Sequence, residues 1–362
     1  MEAFPALDSP QTLVVVFGGA SFLDTPGPLD DLVAAYPSSV VVGCSSAGEI
    51  FGDRISDDSL SVAVARFEHG SLRQARADVE KDVSSSVAGE ALARQLIGPD
   101  LRAVFVLSDG LSVNGTELLA GIHRAVDASV AVTGGLAGDG SRFKRTWVLS
   151  GGKPSSGVVV AVGLYGKSIG VSHGSRGGWD AFGPERLVTH SEGNVLYTLD
   201  DEPALALYKT YLGERAQGLP ATALLFPLAL RAVDSTKTVV RTILSVDESN
   251  QTMTFAGDIP QHSIVQLMRA NFDRLIDGAS QASEAASAPE AGESLTVAVS
   301  CVGRRLVLGE RAEEEVEAAQ EGLPPDGKMV GFYSYGEISP FAPGECGVLH
   351  NQTMTLTRFW EH

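Results

Sequence analysis

A few carboxylates, thiols and imidazoles, most of them beside Gly-rich turns, carry whatever chemistry this chain can do. Glu49 ends Ser45-Ser46-Ala47-Gly48-Glu49, and Glu337 ends Ser334-Tyr335-Gly336-Glu337. A third segment, Gly134-Gly135-Leu136-Ala137-Gly138-Asp139-Gly140, adds an aspartate. Two carboxylates in unlike environments can serve as acid and base. They can also anchor a ligand or stand as solvated turn residues. A Gly-rich turn at a strand tip offers backbone N–H groups to a carboxylate or another small polar ligand. The same glycines are also what a tight turn with positive φ requires. Cys44 and Ser46 are candidate nucleophiles, but no histidine accompanies them in a known local signature.

The chain has seven histidines, none paired at zinc spacing. His173, in Val-Ser-His-Gly, His190, in Thr-His-Ser-Glu-Gly-Asn, and His350, in His-Asn-Gln-Thr, stand at the ends of strand-like runs. Two matches to nucleotide motifs fail. Gly166-Lys167-Ser168 imitates the end of a P-loop, yet the first glycine it needs is Ala161. Gly138-Asp139-Gly140 lacks the third glycine of a dinucleotide fingerprint.

Strands and helices alternate around these turns. Runs at 12–17, 40–44, 103–107, 130–132 and 158–164 read as buried strands, and 29–36, 83–97 and 116–126 have helical spacing. Strand pairs follow each helix, which predicts a mixed α+β fold with mixed sheets rather than a doubly wound one. The chain also repeats: Val42-Gly-Cys-Ser-Ser-Ala-Gly-Glu-Ile50 recurs as Val330-Gly-Phe-Tyr-Ser-Tyr-Gly-Glu-Ile338. Each copy follows a strand and a helix and precedes a strand containing Arg-Phe, at Arg66-Phe67 and Arg358-Phe359; Val130–Gly140 is a weaker echo. The period exceeds that of a solenoid, so duplicated strand–helix–strand units are expected, with the three turns gathered at one pocket. Residues 280–294, almost entirely Ala, Ser, Glu, Gly and Pro, predict a mobile loop.

The totals set the setting. With 362 residues, 44% hydrophobic and 20% charged, the chain has the composition of a globular protein and the length of two domains. Its net charge of −18, from 45 acidic and 27 basic residues, repels phosphate backbones and anionic lipid, so nucleic-acid and membrane binding are not expected. No basic-then-apolar leader opens the chain, no apolar run has membrane length, and Cys44, Cys301 and Cys346 form no disulfide framework. A reducing, cytoplasmic location is expected.

Taken in order, VVVGCSSAGEI, VTGGLAGDG, RLVTHSEGNVLYTLDDEPALALYKTYLG, RTILSVDESNQTMTFAGDIP, GFYSYGEISP and LHNQTMTLTRF resemble the FIST (F-box and intracellular signal transduction) family across roughly residues 12–360. The resemblance implies an N-terminal module at 12–180 and a C-terminal one at 181–360. It also implies small-ligand sensing in signal transduction without catalysis, reported in trans to a partner such as a histidine kinase. In layout the chain is similar to stand-alone bacterial members that bind haem and sense nitric oxide. On that likeness haem b is the expected cofactor. His190 departs from the residue types expected in the Thr-x-x-x-Gly-Asn motif, and so becomes a candidate iron ligand with His173, and less so His350. The expected ligand contacts are Ser46, Gly48, Glu49, Gly134, Gly135, Gly138, Asp139, Arg176, Glu192, Asn194, Tyr335, Glu337 and Asn351. Two alternatives stay open: a metal-free sensor of an amino-acid-like metabolite, and an enzyme using Cys44 or Glu49.

Overall fold

The computed structural model describes residues 4–79, 83–288, 292–324 and 327–362. Its architecture is mixed α+β, built from one repeated unit. In the first unit, strand Thr12–Gly18 leads through helix Gly27–Ala35 to a parallel strand, Val40–Ser45. A hairpin, Glu49–Phe51 with Arg54–Ser56, follows, and strand Leu60–Arg66 returns antiparallel to the first. The second unit repeats this with Leu101–Ser108, helix Gly115–His123, Ala131–Leu136, hairpin Val148–Ser150/Lys153–Ser155 and Val158–Tyr165. The third does so with Ser294–Cys301, helices Val302–Leu308 and Ala312–Glu321, Lys328–Ser334, hairpin Gly336–Pro340/Gly347–His350 and Met354–Glu361. The second and third units add an edge strand and a helix in front: Ser71–Asp78 with Ser85–Leu96, and Ile169–Arg176 with Phe272–Ala285.

The hairpins join the units in a cycle. The first unit's hairpin pairs with Lys328–Ser334 of the third, the third's with Ala131–Leu136 of the second, and the second's with Val40–Ser45 of the first. Each sheet therefore ends in strands borrowed from a neighbour, and the N- and C-terminal parts of the chain share sheets.

Pleating explains the core. Leu13, Val15 and Phe17, Phe105 and Leu107, and Leu295, Val297 and Val299 are alternate residues of the three equivalent first strands, and they meet in one central cluster. The residues between them, Val14 and Val16, or Val104 and Val106, turn to the opposite face and join other clusters. Strands buried on both faces read as continuous apolar runs, as these do. Phe17 stacks on Phe332 at 4.6 Å within the centre.

One glycine recurs at the same register in every unit. Gly43 lies opposite Val16, Gly134 opposite Val106 and Gly331 opposite Ala298. A Cβ on any of them would come within 1.9–2.0 Å of the facing carbonyl oxygen. No other residue fits between those strands.

Between Ile169–Arg176 and helix Phe272–Ala285 the chain builds a separate antiparallel sheet. It runs from strand Asp180–Glu192 to strand Ile264–Arg269, with helix Ala204–Leu212 packed on it and its own core around Leu196, Leu205, Tyr208 and Phe255.

The stretch expected to be a mobile loop at 280–294 is corrected in part. Residues 280–285 are the last turns of helix Phe272–Ala285, and strand Ser294–Cys301 begins at its other end; 289–291 lie outside the described residues. The small side chains that suggested a loop permit close packing instead. Ala282 and Ser283 are fully buried, and the Ala282 carbonyl oxygen lies 2.0 Å from where a Cβ on Gly174 would stand. Among the described residues no helix is long and apolar enough to cross a membrane.

Candidate functional site

The three Gly-rich turns do come together, but against one another rather than around a ligand. Ala47 N–H donates to the Tyr333 carbonyl at 2.8 Å, Tyr333 N–H to Gly48 at 2.9 Å, Gly138 N–H to Ser45 at 3.0 Å and Tyr335 N–H to Leu136 at 3.1 Å. Gly48 is closed off further by Arg305 and Tyr333, and Gly134 and Gly135 lie within a strand.

The carboxylates beside these turns are engaged by other segments of the chain. Glu49 accepts the backbone N–H of Ser59 at 2.9 Å and its hydroxyl at 3.0 Å. Glu337 accepts the Ser334 hydroxyl at 2.7 Å, the Thr353 hydroxyl at 2.9 Å and Thr353 N–H at 3.2 Å. Asp139 accepts backbone N–H groups from Phe143, Lys144 and Arg145 at 2.8–3.0 Å, as well as the Tyr335 hydroxyl. Burial raises Glu49 to about 7 and Glu337 to about 8 despite these bonds. For Asp139 the bonds from Tyr335 and the backbone outweigh burial and hold it below its ordinary value. The three turns thus form a junction held by hydrogen bonds within the chain.

The other expected residues scatter. Arg176 ends the edge strand, exposed, with its guanidinium on the Ser175 carbonyl. Glu192 is exposed, and Asn351 is fully buried beside Gly336. Cys44 is fully buried and its thiol is pushed up by desolvation, which removes the thiolate a nucleophile needs.

Asn194 and Tyr335, alone among the expected contacts, line a cavity between the core and the separate sheet. It has a volume of about 750 Å³, within the range of small-molecule sites. Its floor is the loop Gly110–Asn114 after strand Leu101–Ser108, the Leu136 end of its parallel partner, and Cys301–Gly303 at the end of strand Ser294–Cys301. These are carboxyl ends of parallel strands, where open α/β sheets place ligands. The separate sheet forms the roof with Asn194, Leu219–Ala221, Thr242–Leu244 and Phe255–Gly257. Phe143 and Tyr335 form one wall, their rings stacked at 4.5 Å. Four large apolar side chains at the cavity, Leu111, Phe143, Leu244 and Leu306, are 42–47% exposed. The separate sheet is held to the core by the Lys237–Glu345 ion pair at 2.6 Å, by packing of Leu224 and Val240 on the cluster of Val307 and Leu308, and by hydrogen bonds. Asn114 Nδ2 donates to Asp258 at 2.8 Å, and buried Arg241, beside Thr242, donates to the Leu349 carbonyl at 3.0 Å.

The candidate iron ligands lie elsewhere. His190 is exposed on the separate sheet, stacked on Tyr197 at 4.5 Å and 3.6 Å from Glu192. His173 is buried in an edge strand, where desolvation lowers its pKa. His350 Nε2 bonds the Ser339 carbonyl at 3.0 Å, and burial lowers its pKa to about 4. Among the described residues no histidine lines the cavity, and the thiol of Cys301, which does, is held protonated by burial. The donor set that haem requires is therefore not at this site.

Sequence reasoning missed Leu111, Thr242, Leu244, Val302 and Leu306. Their one readable signal was position, since Leu111 and Val302 follow the first strands of their units.

The cavity thus lies between the cyclic α+β core and the separate sheet. The FIST N domain matches residues 12–202 and the FIST C domain residues 204–340, and the chain belongs to the FIST family. FIST domains are generally sensory domains that bind small ligands in signal transduction. No curated protein shows significant similarity to the chain.

Proposed function

We propose that this protein senses a small molecule held in the cavity between the cyclic core and the separate sheet, and signals through the position of that sheet. One observation carries the reading: the cavity's floor and roof come from different bodies of the fold, so a ligand touching both favours one arrangement of the two. A ligand shifts such an equilibrium only by its differential affinity for the two arrangements. Contacts with Asn114 and Thr242 supply that here, because Asn114 bonds Asp258 of the roof and Thr242 adjoins Arg241, which bonds the core. A partner protein then reads the altered sheet surface. Nothing in the chemistry of Cys44 or Glu49 calls for a catalytic role, since the first is a buried thiol and the second is engaged with Ser59.

The test is capture. Protein incubated with the small-molecule fraction of a cell extract is expected to carry an adduct in native mass spectrometry. Ala256→Trp, which fills the roof, should abolish the adduct while leaving the circular dichroism unchanged. No adduct, or one undiminished in the filled variant, overturns the reading.

A further inference from the structure

Resting on that reading of the cavity, we propose that its ligand is an uncharged, mainly apolar molecule: a ring system carrying one or two hydrogen-bonding groups, rather than a free amino acid or a phosphate ester.

Among the described residues, no Asp, Glu, Lys, Arg or His lines the cavity. Its polar side chains are the hydroxyls of Ser112, Ser141, Thr242 and Tyr335 and the amides of Asn114 and Asn194. The two titratable ones present, Cys301 and Tyr335, are both pushed up by burial and stay neutral. A carboxylate or ammonium entering would lose its water and meet no opposite charge.

Much of the N–H surface of the loop 110–117 is already in use. The helix Gly115–His123 starts at the cavity, but the N–H groups of its second and third residues, Thr116 and Glu117, are taken by the Asn114 side chain at 3.0 and 3.2 Å. Glu117 adds a negative charge to that turn. In the loop before it, the N–H groups of Leu111 and Ser112 both donate to Asp109 at 2.8 Å. These four N–H groups of the tip are therefore taken by the chain itself and not left for an anion.

What remains free favours apolar surface. Leu111, Phe143, Leu244 and Leu306 leave much of their area to water, and a bound ring system would cover it. The stacked Phe143–Tyr335 pair presents a flat aromatic wall against which another ring packs. Specificity falls to few groups. Thr242 is 6% exposed, and among the described residues its hydroxyl has no hydrogen-bond partner; a buried polar group left unpaired is one that a ligand can satisfy.

The experiment compares two fluorescent probes with the same ring skeleton, neutral phenylnaphthylamine and its sulfonated analogue, anilinonaphthalene sulfonate. The neutral probe is expected to bind one per chain, about tenfold or more tighter than the sulfonate. Ala256→Trp should weaken it by about tenfold or more, and free leucine or phenylalanine should not displace it. Leu244→Glu, at an exposed rim position, gives a second variant that keeps the fold and should weaken the neutral probe by about fivefold. Equal or tighter binding of the sulfonate, lost in Ala256→Trp, overturns the proposal and leaves the cavity reading intact, as does displacement by the amino acids. Neutral-probe binding indifferent to both substitutions also overturns it. The cavity reading itself stands or falls on the extract adduct.

Discussion

Glu49 and Glu337 hold the same station in two units of the cycle: each lies buried after a Gly-rich turn and accepts the N–H and hydroxyl of the residue just before the returning strand, Ser59 or Thr353. Both have folded-state pKa values raised above that of an unfolded glutamate, to about 7 and about 8. The folded chain then holds more protons than the unfolded one above pH 4.5, so stability falls as pH rises towards 8. Buried His350 and His173, with lowered pKa values, give the opposite slope below about 6.5. The clean window is therefore pH 6.5–8, where Glu337 alone accounts for a loss of about 2 kcal/mol. Urea denaturation across that window should show the decline in the wild type and a flatter profile in Glu337→Gln. An equal decline in both would contradict the assignment.

The recurring glycines make a sharper prediction about packing. Gly43→Ala, Gly134→Ala and Gly331→Ala each drive a methyl into a strand carbonyl and should cost about 3 kcal/mol or more. Gly27, which opens a helix with nothing within 4 Å of a built Cβ, should accept alanine with no loss. Thermal denaturation of the four variants separates the two classes. A mild effect at all three strand positions would mean that the units do not pack at this register.

The third unit is pinned to the separate sheet's connections by Arg304, which is fully buried against Glu315 at 3.2 Å and donates to the Leu275 carbonyl at 2.6 Å and to that of Gly177. Arg304→Ala leaves Glu315 as an unpaired buried charge and should destabilise the protein by about 3–5 kcal/mol. Replacing both with Met and Leu should recover part of that loss. A single variant as stable as wild type in chemical denaturation would show that the pair contributes little.

Much of the duplication was legible because the Val-Gly…Gly-Glu-Ile motif spans the glycine that must face a carbonyl and the glutamate that closes the unit. The second unit echoed it only weakly. Gly140 stands where the others have glutamate, and aspartates at 109 and 139 take over the N–H groups there. The Arg-Phe pairs, which looked like part of the repeat, are out of register: Arg66 lies opposite Thr12, whereas Arg358 lies opposite Thr296, the counterpart of Val14. The exchange of hairpins had no sequence signal, because each joins strands far apart in the chain and shares its apolar pattern with any edge strand. The cavity was hidden for a related reason. Its lining is drawn from short, mostly uncharged segments scattered over 110–335, whereas the charged and Gly-rich turns that stand out in the sequence spend their polar groups within the fold.

The central claim, that a ligand binds between the core and the separate sheet and fixes their relation, is tested most directly by hydrogen–deuterium exchange with and without the molecule captured from extract. The account predicts that saturation slows exchange together at 110–114 and 301–306 on the floor and at 219–224 and 242–257 on the roof, with the central strand Thr12–Gly18 unchanged. Slowed exchange confined to one body, or centred on His190 and Tyr197, would contradict it.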